Sequence, residues 1–355
     1  MHQPGFFDFV DRLKDLSLFG DPLERISQIV DFEVFRLDLE EVLRLGDQPQ
    51  GGRPPYDAVL MFKVLILQAL YNLSDDQTEY QIKDRLSFMR FLGLSVSQRV
   101  PDAKTVWLYR ERLKPSGVMD RLFLRFDDVL KAQGYLAMGG QIVDASIIQA
   151  PRQRMTTEEK ATIKAGDIPK AWKDKPAKLA QKDRDARWMV KQSKAKGDVG
   201  AVDLGIPYFG YKTHLSTDRR FGFIRRYQVT AANQYDGHLL PQLLDINNTA
   251  QSVWGDTAYD TLKNGKYLEN KGFRSRLHRK KPKGKAMPQR TQQGNTTKSR
   301  IRAQVEHIFA RQKDRMGLFI RTIGLTRAKA KIALANLAYN FTRLSFWERK
   351  RALIG

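Results

Sequence analysis

The 355-residue chain carries a formal net charge of +23, has no cysteine, and its five histidines show no close metal-ligand spacing. These features exclude disulfides, thiolate metal sites and a cysteine nucleophile, and they argue against a zinc site. A chain this basic is typical of proteins that bind polyanions, because each neutralised phosphate releases condensed counterions. Its cations lie mainly in Gly-, Pro- and Gln-rich stretches, which favours nucleic acid over a membrane surface.

The charge is unevenly spread along the chain. Residues 1–50 hold eleven acidic and five basic side chains, so the remainder carries +29. The chain has no run of 18 apolar residues, and its acidic start lacks the basic region of a secretory signal. We therefore expect a soluble, cytoplasmic protein with no membrane partner.

The first third of the chain is predicted to be helical. Residues 6–45 show repeated apolar spacing and form an acidic helical segment, 1–47, before the break at Gln48–Pro55. Tyr56–Leu73 reads as a buried helix, and Ser74 starts a second one, which runs to Phe91 and is stopped by Gly93. Asp102 starts a third helix.

A helical domain over residues 48–134 follows from this pattern, and Met119–Gln133 is its last helix. Two short helices, a glycine turn and a basic helix resemble helix-turn-helix DNA binders, although a plain helical bundle shows the same pattern. A second domain is expected over residues 135–355.

That second domain opens with a strand. Gly139–Pro151 is apolar on both faces, as in a central strand covered on both sides, and Asp144 interrupts it. A lone carboxylate there is costly unless it is paired or binds a metal. The alternative is an aspartate that caps a turn at the end of the strand.

Residues 151–205 read as a basic insertion. The first fifty of these positions hold fourteen basic and seven acidic residues, with Trp172 and Trp188 among the cations. Such a mixture suits an arm whose tryptophans stack on nucleic-acid bases. It equally suits a flexible loop whose tryptophans pack on the domain surface.

A hairpin and a strand–helix unit follow. Pro207–Ser216 and Gly222–Val229 are predicted to pair as a β-hairpin, with a helix over Asn233–Leu244 behind it. Gln251–Gly255 is a short strand that ends at Asp256, and Tyr259–Leu268 begins a helix. A carboxylate at the carboxyl end of a strand is placed as in α/β active sites, or it is simply an N-cap.

The last third is strongly basic. Lys271–Arg302 holds twelve Lys or Arg and no acid, with a short strand at Gly272–His278 and a loop over 278–300. We expect this loop, with Arg279, Lys280 and Lys281, to track phosphates rather than to act as a solvated linker.

Two helices are predicted to end the chain. In the first, Lys298–Met316, Arg302, Glu306 and Lys313 lie along one edge of an apolar stripe. An ordinary surface Arg–Glu pair is the alternative reading. After a turn at Gly317–Gly324, the last helix starts at Thr326.

Three carboxylates therefore stand at special places: Asp144 within a strand, Asp256 after a strand and Glu306 on a helix edge. A mixed sheet can bring Asp144 and Asp256 side by side, with the helix of Glu306 across them. Three converging acids cannot all stay ionised without cations. In a phosphate-binding protein we expect Mg²⁺, with two ions to activate the attacking oxygen and stabilise the leaving one.

These residues resemble the DDE transposases of bacterial insertion sequences, specifically the "insertion sequence five" group. VDASIIQAP matches the first-Asp motif at Asp144, and WGDTAYD matches the second at Asp256. The Y-x₂-R-x₃-E-x₆-K signature falls on Arg302, Glu306 and Lys313, with Ser299 at the tyrosine position. The resemblance covers nearly the whole chain, including the helical region after Arg53, QKDRDARW and YFGYKTHLS.

The resemblance implies an α/β (α+β) fold: a ribonuclease H-like mixed-sheet core with an N-terminal all-helical domain and a basic insertion. It implies Asp144, Asp256 and Glu306 as catalytic residues and ligands of Mg²⁺ or Mn²⁺. Together with the basic and aromatic pattern above, it gives the DNA-binding set: Arg302, Lys313, Tyr259, Trp188, Arg279, Lys280 and Lys281.

The implied activity is that of a transposase. It cleaves the double-stranded DNA ends of its own element and joins the 3′-hydroxyls to target DNA, as a homodimer or larger assembly on DNA, in the bacterial cytoplasm at the nucleoid. A ribonuclease H-like nuclease or resolvase without joining, and a non-catalytic DNA-binding protein, are the alternatives.

Overall fold

The computed structural model describes residues 8–44, 54–114, 117–193 and 204–354. It divides into two compact units. The first comprises Met1–Tyr135, Asp314–Gly317 and Ala333–Gly355, and the second comprises Leu136–Lys313 and Leu318–Ile332. The domain limits expected from the sequence stay a prediction, and most of the expected break at Gln48–Pro55 lies outside the described residues.

The first unit is helical, as predicted. Its helices before residue 135 are α1 (Asp8–Leu18), α2 (Pro22–Ile29), α3 (Arg36–Arg44), α4 (Ala58–Tyr71), α5 (Asp75–Asp84), α6 (Leu86–Leu92), α7 (Ala103–Arg112) and α8 (Val118–Ala132), with a 3₁₀ turn at Phe32–Phe35. Its core is a cluster of phenylalanines. The Phe32 ring lies 5.4 Å from that of Phe341 and 5.7 Å from that of Phe91, both edge-on.

The helix predicted from Ser74 to Phe91 is two helices. Arg85 adopts an extended conformation (φ −107°, ψ 115°), which separates α5 from α6. The break turns the short second helix so that Phe88, Phe91 and their neighbours are buried. Gly93 ends α6 at φ 73°, and the Asp102 side chain caps α7, both as expected.

The second unit is built on a six-stranded mixed sheet. Its strands are β1 (Gln141–Gln149), β2 (Arg187–Ser193), β3 (Leu204–Asp218), β4 (Ile224–Ala231), β5 (Ser252–Gly255) and β6 (Arg274–Leu277). The order is β2-β3-β1-β5-β6, with β4 also paired to β3. β3 runs antiparallel to β1, β2 and β4, whereas β5 is parallel to β1 and β6 to β5. The predicted hairpin and mixed sheet are confirmed.

The described part of the insertion is folded, which rules out the flexible loop that was one of its two alternative interpretations. It contains α9 (Thr157–Lys164), α10 (Lys170–Lys173), α11 (Pro176–Ala180) and β2; residues 194–203 lie outside the described part. Trp172 is fully buried and its Nε1 donates to Glu159 Oε1 at 2.6 Å. It is therefore a core residue of this segment and has no face free to stack on a base.

Short helices follow the hairpin. A 3₁₀ turn (Asp236–Leu239) and α12 (Leu240–Leu243) replace the single helix expected over Asn233–Leu244, and α13 (Leu262–Asn270) starts three residues later than expected. Asp256 and Tyr259 occupy the turn between β5 and α13. Leu240, Leu243 and Tyr259 pack with Val143 of β1 in one apolar cluster.

Two long helices end the chain. α14 (Gln289–Ala310) continues into a π-helical turn (Arg311–Arg315), and α15 (Leu325–Ala352) follows. The loop expected over 278–300 was therefore too long: Pro288 stands at the N-cap and residues 289–300 are helical, despite Gly294. Val305, Ile308, Phe309 and Met316 are buried as predicted, and so is the predicted apolar face of α15.

Within the described residues, no single helix is long and apolar enough to cross a membrane. The bent pair α4–α5 passes the length and composition criteria together. Most of the residues of α4 are buried inside the protein.

Candidate functional site

The sheet places Asp144 beside Asp256. β1 and β5 are parallel, with Gln141 opposite Val253 and Ile142 opposite Trp254. Extending this register by two residues brings Asp144 level with Asp256, and the charge of Asp256 acts on Asp144. Gly140 permits this approach, because a Cβ there would lie 2.5 Å from both the Ser252 carbonyl oxygen and the Trp254 ring, and its φ is +88°.

Helix α14 packs against both of these strands. Its Arg302 reaches Asp144, and the Nη2–Oδ2 distance is 2.8 Å. The other carboxylate oxygen, Oδ1, accepts from the backbone N–H of Ala145 at 2.8 Å. Asp144 is buried and Arg302 nearly so, so this charge-assisted contact joins a strand and a helix 158 residues apart in the chain.

The charges of these groups influence one another's pKa values. Burial raises the pKa of Asp144, Arg302 opposes that rise, and the charge of Asp256 adds to it. Burial lowers the pKa of Arg302, but the charges of Asp144, Asp256 and Glu306 outweigh this and leave it raised. We call the group formed by Asp144, Asp256, Glu306 and Arg302 the acid pocket. It therefore holds more negative than positive charge, which is the setting that attracts a cation.

Tyr259 is fully buried, and the charges of these acids act on it. Burial raises its pKa well above 10, and Asp144, Asp236 and Asp256 add to the effect. Its hydroxyl has no hydrogen-bond partner among the described residues. Tyr259 is thus enclosed by the protein, and the DNA contact expected of it stays a prediction.

Glu306 lies on the exposed side of α14, one turn after Arg302. It is close enough for its charge to act on the Arg302 guanidinium. Ser299, at the family's tyrosine position, is exposed three residues before Arg302, and its hydroxyl donates to the Asn295 carbonyl oxygen at 3.0 Å. The structure thus brings Asp144, Asp256 and Arg302 together, with Glu306 at the rim.

A divalent cation fits the donor chemistry of this pocket. Carboxylate oxygens are the ligands that Mg²⁺ prefers, and buried neighbouring carboxylates need a cation. Across the described residues, no three acidic or histidine side chains are already close enough to hold a metal ion. Glu306 lies on the exposed side of α14, so its side chain would have to turn toward the sheet to join Asp144 and Asp256 as a ligand.

Lys313 lies in the π-helical turn. Its Nζ donates to Ser146 Oγ at 2.6 Å. Ser146 stands two residues after Asp144 on β1, and therefore on the same face of the sheet. The π turn matters here, because its wider i→i+5 winding shifts the direction in which Lys313 points.

A second charged cluster lies on the face of the sheet opposite to Asp144. It was not predicted from the sequence. Lys212 is buried, and its Nζ donates to Asp236 Oδ1 at 2.7 Å and to the Gln234 carbonyl oxygen at 2.8 Å. His214 is fully buried beside them and bonds Thr230 Oγ1 at 2.9 Å. The alternation of Lys212 and His214 in YKTH was the available signal, since it sets both on one face of a strand.

The predicted DNA-binding cations are exposed. Lys280 and Lys281 are solvent-facing in the loop before α14, while Arg279 contacts Asp260 Oδ1 at 3.2 Å. Arg274 and Arg276 of the edge strand β6 are also exposed. We call these two residues, with Arg279, Lys280 and Lys281, the basic strip. Trp188 is 38% exposed and packs against Phe209, with ring centroids 5.3 Å apart, so one face of its indole is accessible.

Comparison with known protein families gives two matches. A family model described as "Transposase DDE domain" matches residues 136–341, more than half of the chain. A second, described as "Transposase domain (DUF772)", matches residues 11–112. No solved structure matches the chain. The first match implies a ribonuclease H-like core for the mixed sheet described above.

Proposed function

Because the chain belongs to the DDE transposases of insertion sequences, we propose that it cleaves the ends of its own element and joins the freed 3′-hydroxyls to target DNA. The observation that carries this proposal is the neighbouring pair Asp144 and Asp256 beneath Arg302 of α14. It unites three chain segments at the point where the family's motifs fall.

Each residue of the pocket has a role in the proposed reaction. Asp144 and Asp256, with Glu306 turned inward, hold Mg²⁺ or Mn²⁺. When bound, a pair of such ions activates the attacking oxygen and stabilises the leaving oxygen of a phosphoryl transfer. Arg302, released from Asp144, and Lys313 bind the phosphates that flank the reacting bond.

The exposed basic strip is proposed to carry the DNA away from the pocket. Arg279, Lys280 and Lys281 follow the phosphate backbone, and Trp188 packs on the nucleic acid from the insertion. The helical unit, with α7 and its exposed Trp107, contributes further DNA contacts. We also propose membership in the "insertion sequence five" group and assembly as a homodimer or larger complex on DNA.

A cleavage and joining assay tests the function. Labelled element ends are incubated with a target plasmid and Mg²⁺ or Mn²⁺, and products are resolved on a gel. We expect both a nick at the element end and a joined product. Cleavage without joining would identify a nuclease or resolvase instead, and end binding without metal-dependent cleavage would identify a non-catalytic DNA-binding protein.

Substitutions assign the pocket residues in the same assay. Asp144→Asn, Asp256→Asn and Glu306→Gln are each expected to abolish cleavage while end binding survives. Retained cutting by any one variant removes that residue from the site. Ser275→Ala, a strand substitution outside the pocket, is the matched control and should cut normally.

Salt dependence tests the basic strip. Replacing Arg279, Lys280 and Lys281 with glutamine should weaken binding to all sequences alike. It should also reduce the slope of log K against log salt by about 0.9 for each phosphate that the protein no longer neutralises. An unchanged slope would place the DNA elsewhere.

A further inference from the structure

Helix α14 and the turn after it are tied to β1 by two hydrogen-bonded contacts on neighbouring rungs of one strand face. The first is Arg302 to Asp144 at 2.8 Å, and the second is Lys313 to Ser146 at 2.6 Å. Asp144 and Ser146 are two residues apart in an extended strand, about 7 Å along one face. The two contacts therefore fix both the position and the rotation of the segment that carries Glu306.

The two contacts differ in what the proposed reaction asks of them. A cation bound at Asp144 would compete with Arg302 for the carboxylate charge, so the first contact is the one that the proposed reaction would weaken. Ser146 carries no charge, and its single side-chain oxygen accepts a hydrogen bond from the Lys313 ammonium. The second contact can persist throughout.

The π-helical turn is what brings Lys313 to this place. Arg311–Arg315 winds more widely than the preceding helix, and Gln312 within it is fully buried. The Gln312 carbonyl oxygen accepts from Leu318 N–H at 2.9 Å, and Ile320 N–H donates to the Gln149 carbonyl oxygen at 2.9 Å. The chain on both sides of Lys313 is thus held by backbone contacts, and Ser146 fixes the side chain itself.

We propose that Ser146 is a positioning residue, which holds the Lys313 ammonium at the edge of the acid pocket so that it meets a DNA phosphate. The inference rests on the proposed function, because it gives Lys313 a phosphate to bind. Lys313 touches the DNA in this scheme, and Ser146 acts only through Lys313.

Chemical reactivity tests the contact without any need for catalysis. The Lys313 amine is labelled with an acylating reagent, and its labelling rate is followed by mass spectrometry relative to Lys298 in the same digest. Loss of one hydrogen bond in Ser146→Ala should raise that rate about fivefold, whereas Ser146→Thr, which keeps the hydroxyl, should not. Ser252→Ala, at a half-buried strand serine of the same sheet, is the matched control.

Protection by an element-end duplex tests the positioning. In the wild-type chain the duplex should shield Lys313 from the reagent, and in Ser146→Ala this shielding should fall by a similar factor. An equal labelling rate in wild type and Ser146→Ala, or equal shielding in both, overturns the proposal. A wild-type chain that shields Lys313 but cuts no DNA overturns the proposed function alone.

Coupling in the cleavage assay completes the test. Under single-turnover conditions, Ser146→Ala should slow cleavage about fivefold with little change in end binding, and Ser146→Thr should restore the rate. In a Lys313→Met background, Ser146→Ala should add no further loss, because both changes remove one interaction. Independent, multiplying losses would show that Ser146 does not act through Lys313.

Discussion

Two buried Asp–Arg pairs in the same unit have opposite characters. Asp218, where β3 ends, accepts from the backbone N–H groups of Phe221 and Phe223 and from Arg225 Nε at 3.1 Å, and both side chains of the pair are fully buried. Asp144 accepts from one backbone N–H and from Arg302, and it faces the charge of Asp256.

The two pairs differ in how completely nearby groups balance the charge of the carboxylate. Asp218 and Arg225 are seven residues apart on one hairpin, and the hairpin itself supplies the backbone and side-chain donors to this carboxylate. Asp144 takes its cation from a distant helix and has a second carboxylate beside it. A buried pair that is locally complete belongs to the fold, whereas one with an unbalanced neighbour is free to exchange partners.

The sharpest test of this contrast is activity. Asp144→Asn should reduce the rate of end cleavage by about 10³-fold or more, because it removes a proposed metal ligand. The charges of Asp256 and Glu306 also act on Arg302, so the loss of stability should be smaller than for Asp218→Asn. Asp218→Asn should leave the rate per folded molecule near that of wild type. Single-turnover cleavage, corrected for the folded fraction by circular dichroism, measures both.

Stability should reverse the order of the two variants. Asp218→Asn removes the carboxylate charge that faces the buried Arg225 guanidinium, and we expect the free energy of unfolding to fall by about 3–5 kcal/mol. Urea denaturation measures this loss. A fall below about 1 kcal/mol would mean that the Asp218 pair is no more structural than a surface pair.

The pH dependence of stability tests whether a buried group in this unit stays neutral. Burial, aided by Lys212, lowers the pKa of His214 from 6.5 to about 3. Asp236 Oδ1 lies 3.8 Å from its ring and would favour the charged form, but the Lys212 ammonium already neutralises that oxygen at 2.7 Å. Thr230, on the other ring nitrogen, carries no charge.

The direction in which stability changes with pH follows from proton binding by the folded and unfolded states. Below pH 6.5 the unfolded state takes up a proton that the folded state refuses, so stability falls as pH falls. The loss is about 1.4 kcal/mol for each pH unit down to about pH 3. His214→Gln should remove this slope in urea titrations at pH 7, 6 and 5. Parallel curves for the two proteins would show that His214 does protonate in the fold.

An exposed ion pair should contribute least to the free energy of unfolding. Arg121 and Glu41 lie 3.0 Å apart in the helical unit, with 41% and 61% of their side chains exposed. Solvent screening leaves such a pair with little energy, so Glu41→Gln should change the free energy of unfolding by less than about 1 kcal/mol. Thermal denaturation of the variant beside wild type checks this, and a larger loss would weaken the distinction between surface and buried pairs.

The elements of the fold were largely accessible from the sequence. Periodicity and caps predicted most of the helices, and the alternation of β3 and β4 predicted the hairpin. Asp144 was correctly placed within a strand, and Asp256 directly after one. The errors have local causes. Gly294 and the surrounding polar residues hid the first three turns of α14, and the basic composition of 151–193 hid Trp172 in a small core.

The sequence by itself determined the kinds of groups available: three motif-borne carboxylates, a surplus of cations and no thiols. Only the tertiary structure decided which of them meet. The parallel register of β1 and β5 and the packing of α14 set Arg302 on Asp144, and the π turn set Lys313 on Ser146. Such contacts join residues 158 and 167 positions apart, and no local pattern encodes them, because they depend on how separate apolar faces pack together.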